Sequence, residues 1–309
     1  MKWAFPLLLV MGLALAASIN YTYDAAGRLV KVDYGNGSTI IYSYDKSGNL
    51  LTRSVQTSSG PLISSVTVAS GGTVIAQNTF IVIKGANLVP ASTPASGVIW
   101  SNAPSFASGE MPTQLNGVSV TVDSKPAFVY FYCSAATDPA CTQDQLNILT
   151  PLDATTGPVP IVVTSQATSS PPFSVNLQSV APAFLLFGAS QYIAATHANG
   201  NLIGPLTLYP GLSTPAKPSE TIVLYAVGFG LPSTALVNGS SMQSGPLPSN
   251  PVCKLGGNPA AVSFAGLISP GLYQVNLAVP GAAVNGDNPV SCTYGGSTTS
   301  SGALITVQQ

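Results

Sequence analysis

The sequence predicts an all-β protein in which a short antiparallel meander precedes two tandem β-sandwiches. Three observations carry that expectation. Charged residues make up 6% of the 309 positions, against roughly 25% in an average soluble protein. Ser, Thr, Asn, Gln, Gly and Pro take their place, a composition that favours strands and turns. Short β-branched or aromatic runs, among them "TFIVIKG", "GVSVTV", "FVYFYC", "QLNILTP" and "VPIVVTS", are separated by Gly, Pro and Asn. Their spacing of about ten residues is that of an antiparallel sandwich. The same order of runs then recurs in the second half, and no segment has the pattern of an amphipathic helix.

The first element in chain order is "MKWAFPLLLVMGLALAAS". One cation, an apolar stretch from Trp3 to Leu15 and the small-x-small triplet Ala14-Leu15-Ala16 predict a secretory signal peptide over residues 1–16, cleaved after Ala16. No Cys follows, so lipid anchoring is not indicated. After cleavage no apolar run approaches the ~20 residues of a spanning helix. The expected location is secreted or cell-surface.

Residues 17–57 carry the meander. Tyr21-Thr22-Tyr23-Asp24 returns as Tyr42-Ser43-Tyr44-Asp45, and Gly27-Arg28-Leu29 returns as Gly48-Asn49-Leu50. The alternating tyrosines project from one strand face. Asp24 and Gly27, like Asp45 and Gly48, hold the first and last positions of a four-residue turn. Asn36-Gly37 supplies the hairpin between the copies. The lines "YTYDAAGRL" and "YSYDKSGNL" resemble the YD repeat of Rhs- and teneurin-type surface and secreted proteins. Large members of that group wind dozens of copies into a shell, which two copies cannot do, because stacked repeats bury a core only through neighbours. A sheet of about forty residues also needs support from a neighbour or partner.

After the linker "QTSSGPLISS" the sequence predicts Ig-like sandwiches at 58–184 and 185–309, joined near "SVAPAFLLFG". "TFIVIKGANL" is answered by "ETIVLYAVGFG", "DSKPAFVYF" by "GGNPAAVSF", "DQLNILTP" by "LYQVNLAVP" and "VPIVVTS" by "NPVSCTY". Four cysteines allow three pairings. Cys133 with Cys141 and Cys253 with Cys292 is the choice that keeps each disulfide within one sandwich, and export makes disulfides the expected use of these thiols. "SETIVLYAVGFG", "GLYQVNLAVPGAAVNGDNPV" and "THANGNLI" resemble the uncharacterised C-terminal domain of secreted acidobacterial proteins. The resemblance runs over about residues 62–309 and departs from the pattern at the inserted "CSAATDPACT". It implies an exported Ig-like or IPT/TIG-like module and supplies no activity.

Chemistry-bearing residues are few. A net charge of −1 leaves no footprint for nucleic acid. His197 is the single histidine, it flanks the turn signal Asn199-Gly200, and no G-x-S-x-G elbow is present. One histidine and paired cysteines argue against zinc. Glu110 and Glu220, one per sandwich, are the acids a hydrolase would use. Asp138 with Asp144, and Asp287 with Asn288, lack the dense acidic spacing of a calcium loop. The best signal for a surface is aromatic. In "FVYFYC" the residues Phe128, Tyr130 and Tyr132 alternate with Val129, Phe131 and Cys133, and one of the two faces must find cover outside its own core. That cover is the neighbouring domain, the meander or a ligand; in the last case Tyr130 and Tyr132, joined by Trp100, are the binding residues, while a Trp buried in the sandwich core is the alternative for Trp100. The resulting expectation is a non-enzymatic adhesion or recognition module, without cofactor or metal, whose partner is an extracellular polysaccharide or another surface protein. A purely structural spacer and a secreted hydrolase are the alternatives.

Overall fold

The computed structural model describes residues 19–34, 38–57, 60–68 and 71–309. The expected signal peptide and the Asn36-Gly37 turn lie outside the described residues. Two compact units are present, divided between residues 59 and 60.

The first unit is a four-stranded antiparallel meander of Asn20–Tyr23, Leu29–Asp33, Ser38–Tyr44 and Leu50–Thr57, paired in chain order. Both repeat turns form as the Asp and Gly positions require. Gly27 and Gly48 adopt φ of +76° and +91°, which glycine enters without a Cβ penalty. Their amides donate to the carbonyls of Asp24 and Asp45. Asp24 Oδ1 accepts from the amides of Ala26 and Arg28, and Asp45 Oδ1 from those of Ser47 and Asn49. The Arg28 amide and guanidinium at Asp24, and the Asn49 side chain and amide at Asp45, favour the charged carboxylates and hold both below the usual aspartate range.

The second unit holds two sandwiches, each with its own core. In the first, one sheet runs Leu62–Val68, Phe80–Ala86, Asp144–Leu149, Phe128–Cys133, Val98–Ile99. The facing sheet contains Val118–Val122, Gly157–Ser165, Phe173–Gln178 and Val74–Ala76, the last pair parallel. The opening strand thus lies on one sheet and continues as a short piece beside the last strand of the other, an Ig-like arrangement. Alternation places Val118, Val120 and Val122 in the core opposite Ile81, Ile83, Leu146 and Ile148. In the second sandwich Thr221–Val227, Leu272–Ala278 and Val262–Ser269 form one sheet. Val252–Leu255, Gly286–Tyr294 and Leu304–Val307 belong to the other. Ala183–Phe184, at the expected junction, already pairs with Val227 and Ala226 of the second sandwich, while Ala183 packs in the first core.

Both disulfides join the expected partners. Cys253 and Cys292 face each other on neighbouring strands within the second core, and Cys133–Cys141 closes the inserted loop. Alanine at both Cys253 and Cys292, 39 positions apart, is expected to lower stability by about 4 kcal/mol. Denaturant unfolding of the double variant measures that loss.

Lys125 Nζ lies 2.5 Å from Asp153 Oδ1, with the carboxylate buried. Burial alone would raise this acid; the Lys125 contact and the Thr155 hydrogen bonds outweigh it and hold Asp153 down at about 2. A folded-state value below the unfolded one of 3.8 stabilises the fold above that unfolded value. The contribution fades as pH falls toward about 2. Its size is on the order of 2 kcal/mol. Unfolding curves between these two pH values are therefore expected to be flatter for Asp153→Asn than for the wild type.

Candidate functional site

The aromatic strand does not present the surface expected of it. A bulge between Val129 and Phe131 in the pairing with Asp144–Leu149 breaks the alternation. Phe128 and Val129 both turn inward, Tyr130 and Phe131 are half-buried, and Tyr132 and Cys133 are inside again. Tyr132 is 1% exposed and Trp100 8%, so neither offers a ring face to a ligand. Tyr130 packs edge-on against Trp100 at 4.9 Å and Phe80 at 5.2 Å, and Phe106 stacks on Trp100. Burial removes Tyr132 and Trp100 as binding residues, and half-buried Tyr130 packs against the same core, so this strand finds its cover by packing.

The oxygen-rich loops are also largely committed, with Asn288 Oδ1 the buried oxygen among them that accepts no hydrogen bond. Asp144 accepts from Ser134 Oγ and the amides of Ala135 and Leu88. Asp287 accepts from Tyr192 and Thr306 hydroxyls, and the Asn288 amide donates to the carbonyls of Val284 and Gly286. Asp138 lies beside Cys133 and Cys141, whose sulfurs are spent in the disulfide.

Polar side chains converge in the second sandwich, in a segment between Ala183–Phe184 and Thr221–Val227. Ala195–Thr196 and Leu202–Ile203 pair around the Asn199-Gly200 turn, with Gly200 at φ +88° and the His197 carbonyl accepting from its amide. His197 does flank a turn, and it also has partners. Its Nδ1 lies 2.5 Å from Glu220 Oε1, and its Nε2 lies 2.9 Å from Thr214 Oγ1. Glu220 Oε2 accepts from the Lys217 amide at 2.9 Å, fixing the carboxylate from the other side. A neutral ring donating Nδ1–H to Glu220 accepts at Nε2 from the Thr214 hydroxyl, and a charged ring donates to both.

These residues line an open cleft of about 1090 Å³. Its remaining walls are Asn199, Asn201, Lys217, Ser219, Gln308 and Gln309, with Ala198, Leu206, Pro215 and Pro218 as apolar surface. The terminal residues reach it because Gln308 donates its amide to the Ala216 carbonyl, extending the pairing of Ala216 with Val307. Leu206 is 62% exposed. Glu220 is the one acidic side chain in the lining, and Glu110 lines another cleft where the sandwiches meet, its backbone bridged to Ser240. The two glutamates therefore form no acid pair of the glycosidase kind. Sequence reasoning had His197 and Glu220 separately. Their separation of 23 positions closes only when the segment folds back on the sheet.

The RHS Repeat family model matches residues 19–61, the meander and its exit. No curated protein matches the chain. Among solved structures, SGBP-B of the Bacteroides ovatus mixed-linkage glucan utilization locus, in complex with a mixed-linkage heptasaccharide, is similar at 10% identity and TM-score 0.34. That alignment covers 94% of this chain and 63% of that one. Domains 4–9 of the surface layer protein SbsC align at 11% identity over 94% of this chain and 46% of that one, TM-score 0.23. A titin Ig tandem aligns at 10% over 81% and 96%, TM-score 0.20. The chain thus spans less than two thirds of the length of the first two, and likenesses this distant carry no functional argument. Among the described residues no helix is long and apolar enough to cross a membrane.

Proposed function

We propose that this chain is an exported, non-catalytic recognition module that binds a neutral, hydroxyl-rich polymer, a polysaccharide, in the His197 cleft. Export is supported by the leader expected at residues 1–16 and by the resemblance of residues 62–309 to the C-terminal domain of secreted acidobacterial proteins. The observation that carries it is the make-up of the cleft. Amide and hydroxyl side chains from Asn199, Asn201, Thr214, Ser219, Gln308 and Gln309 surround small apolar patches. The histidine and glutamate within reach are turned on each other. Such walls match the hydroxyls and C–H faces of a sugar chain, and the single Lys217 and Glu220 in them carry opposite charges.

Depletion from solution by a panel of insoluble polysaccharides tests this. Saturable binding is expected for the wild type and for Tyr130→Ala. A Leu206→Ala, Gln308→Ala double variant, altered at exposed positions only, is expected to bind about tenfold more weakly. No depletion by any material would favour a structural spacer. The Thr214–His197–Glu220 chain favours one second reading, hydrolysis with Thr214 as nucleophile. It requires soluble product from a depleting polysaccharide or an ester substrate, abolished by His197→Ala.

A further inference from the structure

We infer that the edge strand Asn20–Tyr23 of the meander is a docking site for a YD-type β-hairpin from another polypeptide, one carrying an arginine at the position of Arg28. The template is the contact between the two repeats. Arg28 Nε pairs with Asp24 at 2.8 Å, and its Nη1 donates to the carbonyl of Asp45 at 3.1 Å. Its guanidinium lies 4.9 Å from the centre of the Tyr44 ring, and the Tyr44 hydroxyl donates to the Leu29 carbonyl. One arginine from the leading repeat thus grips the tyrosine and the turn carbonyl of the following one. Guanidinium over a tyrosine face is a recognised attraction.

Moved one repeat toward the N-terminus, the same receptor is Tyr23 with the Asp24 turn. The register is equivalent, since Tyr23 stands opposite Leu29 and Tyr44 opposite Leu50, each beside a bulge. Yet among the described residues no guanidinium covers Tyr23, which is 59% exposed, with Tyr21 at 56%. Asn20–Tyr23 is an edge strand exposed along its whole length. Such edges pair readily with an added strand.

Moved one repeat the other way, the grip is missing. Asn49 stands where Arg28 does, and its amide turns back onto its own Asp45 at 2.9 Å. The edge Leu50–Thr57 therefore lacks the group that would seize a further tyrosine. A second copy of this chain, offering that edge, would bring Asn49 where the receptor needs arginine. The asymmetry selects a different partner, a strand-turn-strand with the line YxYDxxGR.

The test uses the full chain and a backbone-cyclised hairpin of residues 19–34, labelled and followed by fluorescence polarisation. Saturable binding is expected, weakened about tenfold when the hairpin carries Arg28→Asn, and equally when the chain carries Tyr23→Ala. Tyr23 is exposed, so that variant is expected to keep the wild-type circular dichroism spectrum. Equal binding of the arginine and asparagine hairpins would overturn the inference. So would no binding of the cyclised hairpin up to about 1 mM.

Discussion

Tyr132→Ala is expected to cost about 4 kcal/mol of stability in the sandwich unit, the range for removing a fully buried aromatic side chain. The ring fills the core next to Val98 and Leu146, its pairing partners on the two flanking strands. Burial also pushes its hydroxyl above the usual tyrosine range, against a hydrogen bond with Asn116 that lowers it. Tyr130→Ala, at a half-buried position on the same strand, is expected to cost less than half as much. Denaturant midpoints of the two variants measure the difference. Equal and small losses would place both rings on the surface and restore the binding strand that the sequence predicts.

Gly228→Ala is expected to be at least as damaging, by about 4 kcal/mol or more. Gly228 has φ +75°, and a Cβ there would sit 2.1 Å from the Ala181 carbonyl oxygen. A backbone atom cannot move aside as a side chain tip does. The Gly228 carbonyl also accepts from the Ala181 amide. These two residues hold the segment linking the sandwiches against the end of Thr221–Val227, so the variant strikes the joint itself. Thermal unfolding is expected to show either a large fall in midpoint or separate transitions for the two sandwiches. A midpoint like that of the wild type would show that the joint yields without cost.

Much of this architecture was legible because its signals are local. Asp24-x-x-Gly27 and Asp45-x-x-Gly48 specify their turns through one side chain and one permissive backbone position. The recurring strand order of "ETIVLYAVGFG" and "LYQVNLAVP" carried over because each run alternates over a buried face. The cysteine pairing followed from placing both partners within one sandwich. The aromatic strand failed for an equally physical reason. "FVYFYC" is apolar on both faces, so the sequence pattern contains nothing that locates a bulge, and one inserted residue exchanges the faces beyond it. The cleft failed because of distance along the chain. His197 sits at a turn and Glu220 opens a strand, and only the fold-back of the segment between them sets imidazole on carboxylate. The faint signal was the turn at 217–220, where Glu220 caps the Lys217 amide and thereby aims its other oxygen. Arg28 against Asn49, by contrast, was visible in the repeat alignment, and its meaning appeared only with the stack on Tyr44.

The central claim is that the His197 cleft is the recognition surface. Hydrogen exchange on the chain alone and on the chain saturated with a polysaccharide that depletes it tests this most directly. The account predicts slowed exchange in peptides covering 197–220 and 308–309, with 128–133 unchanged. Protection confined to 128–133, or to any surface outside the cleft, would contradict it.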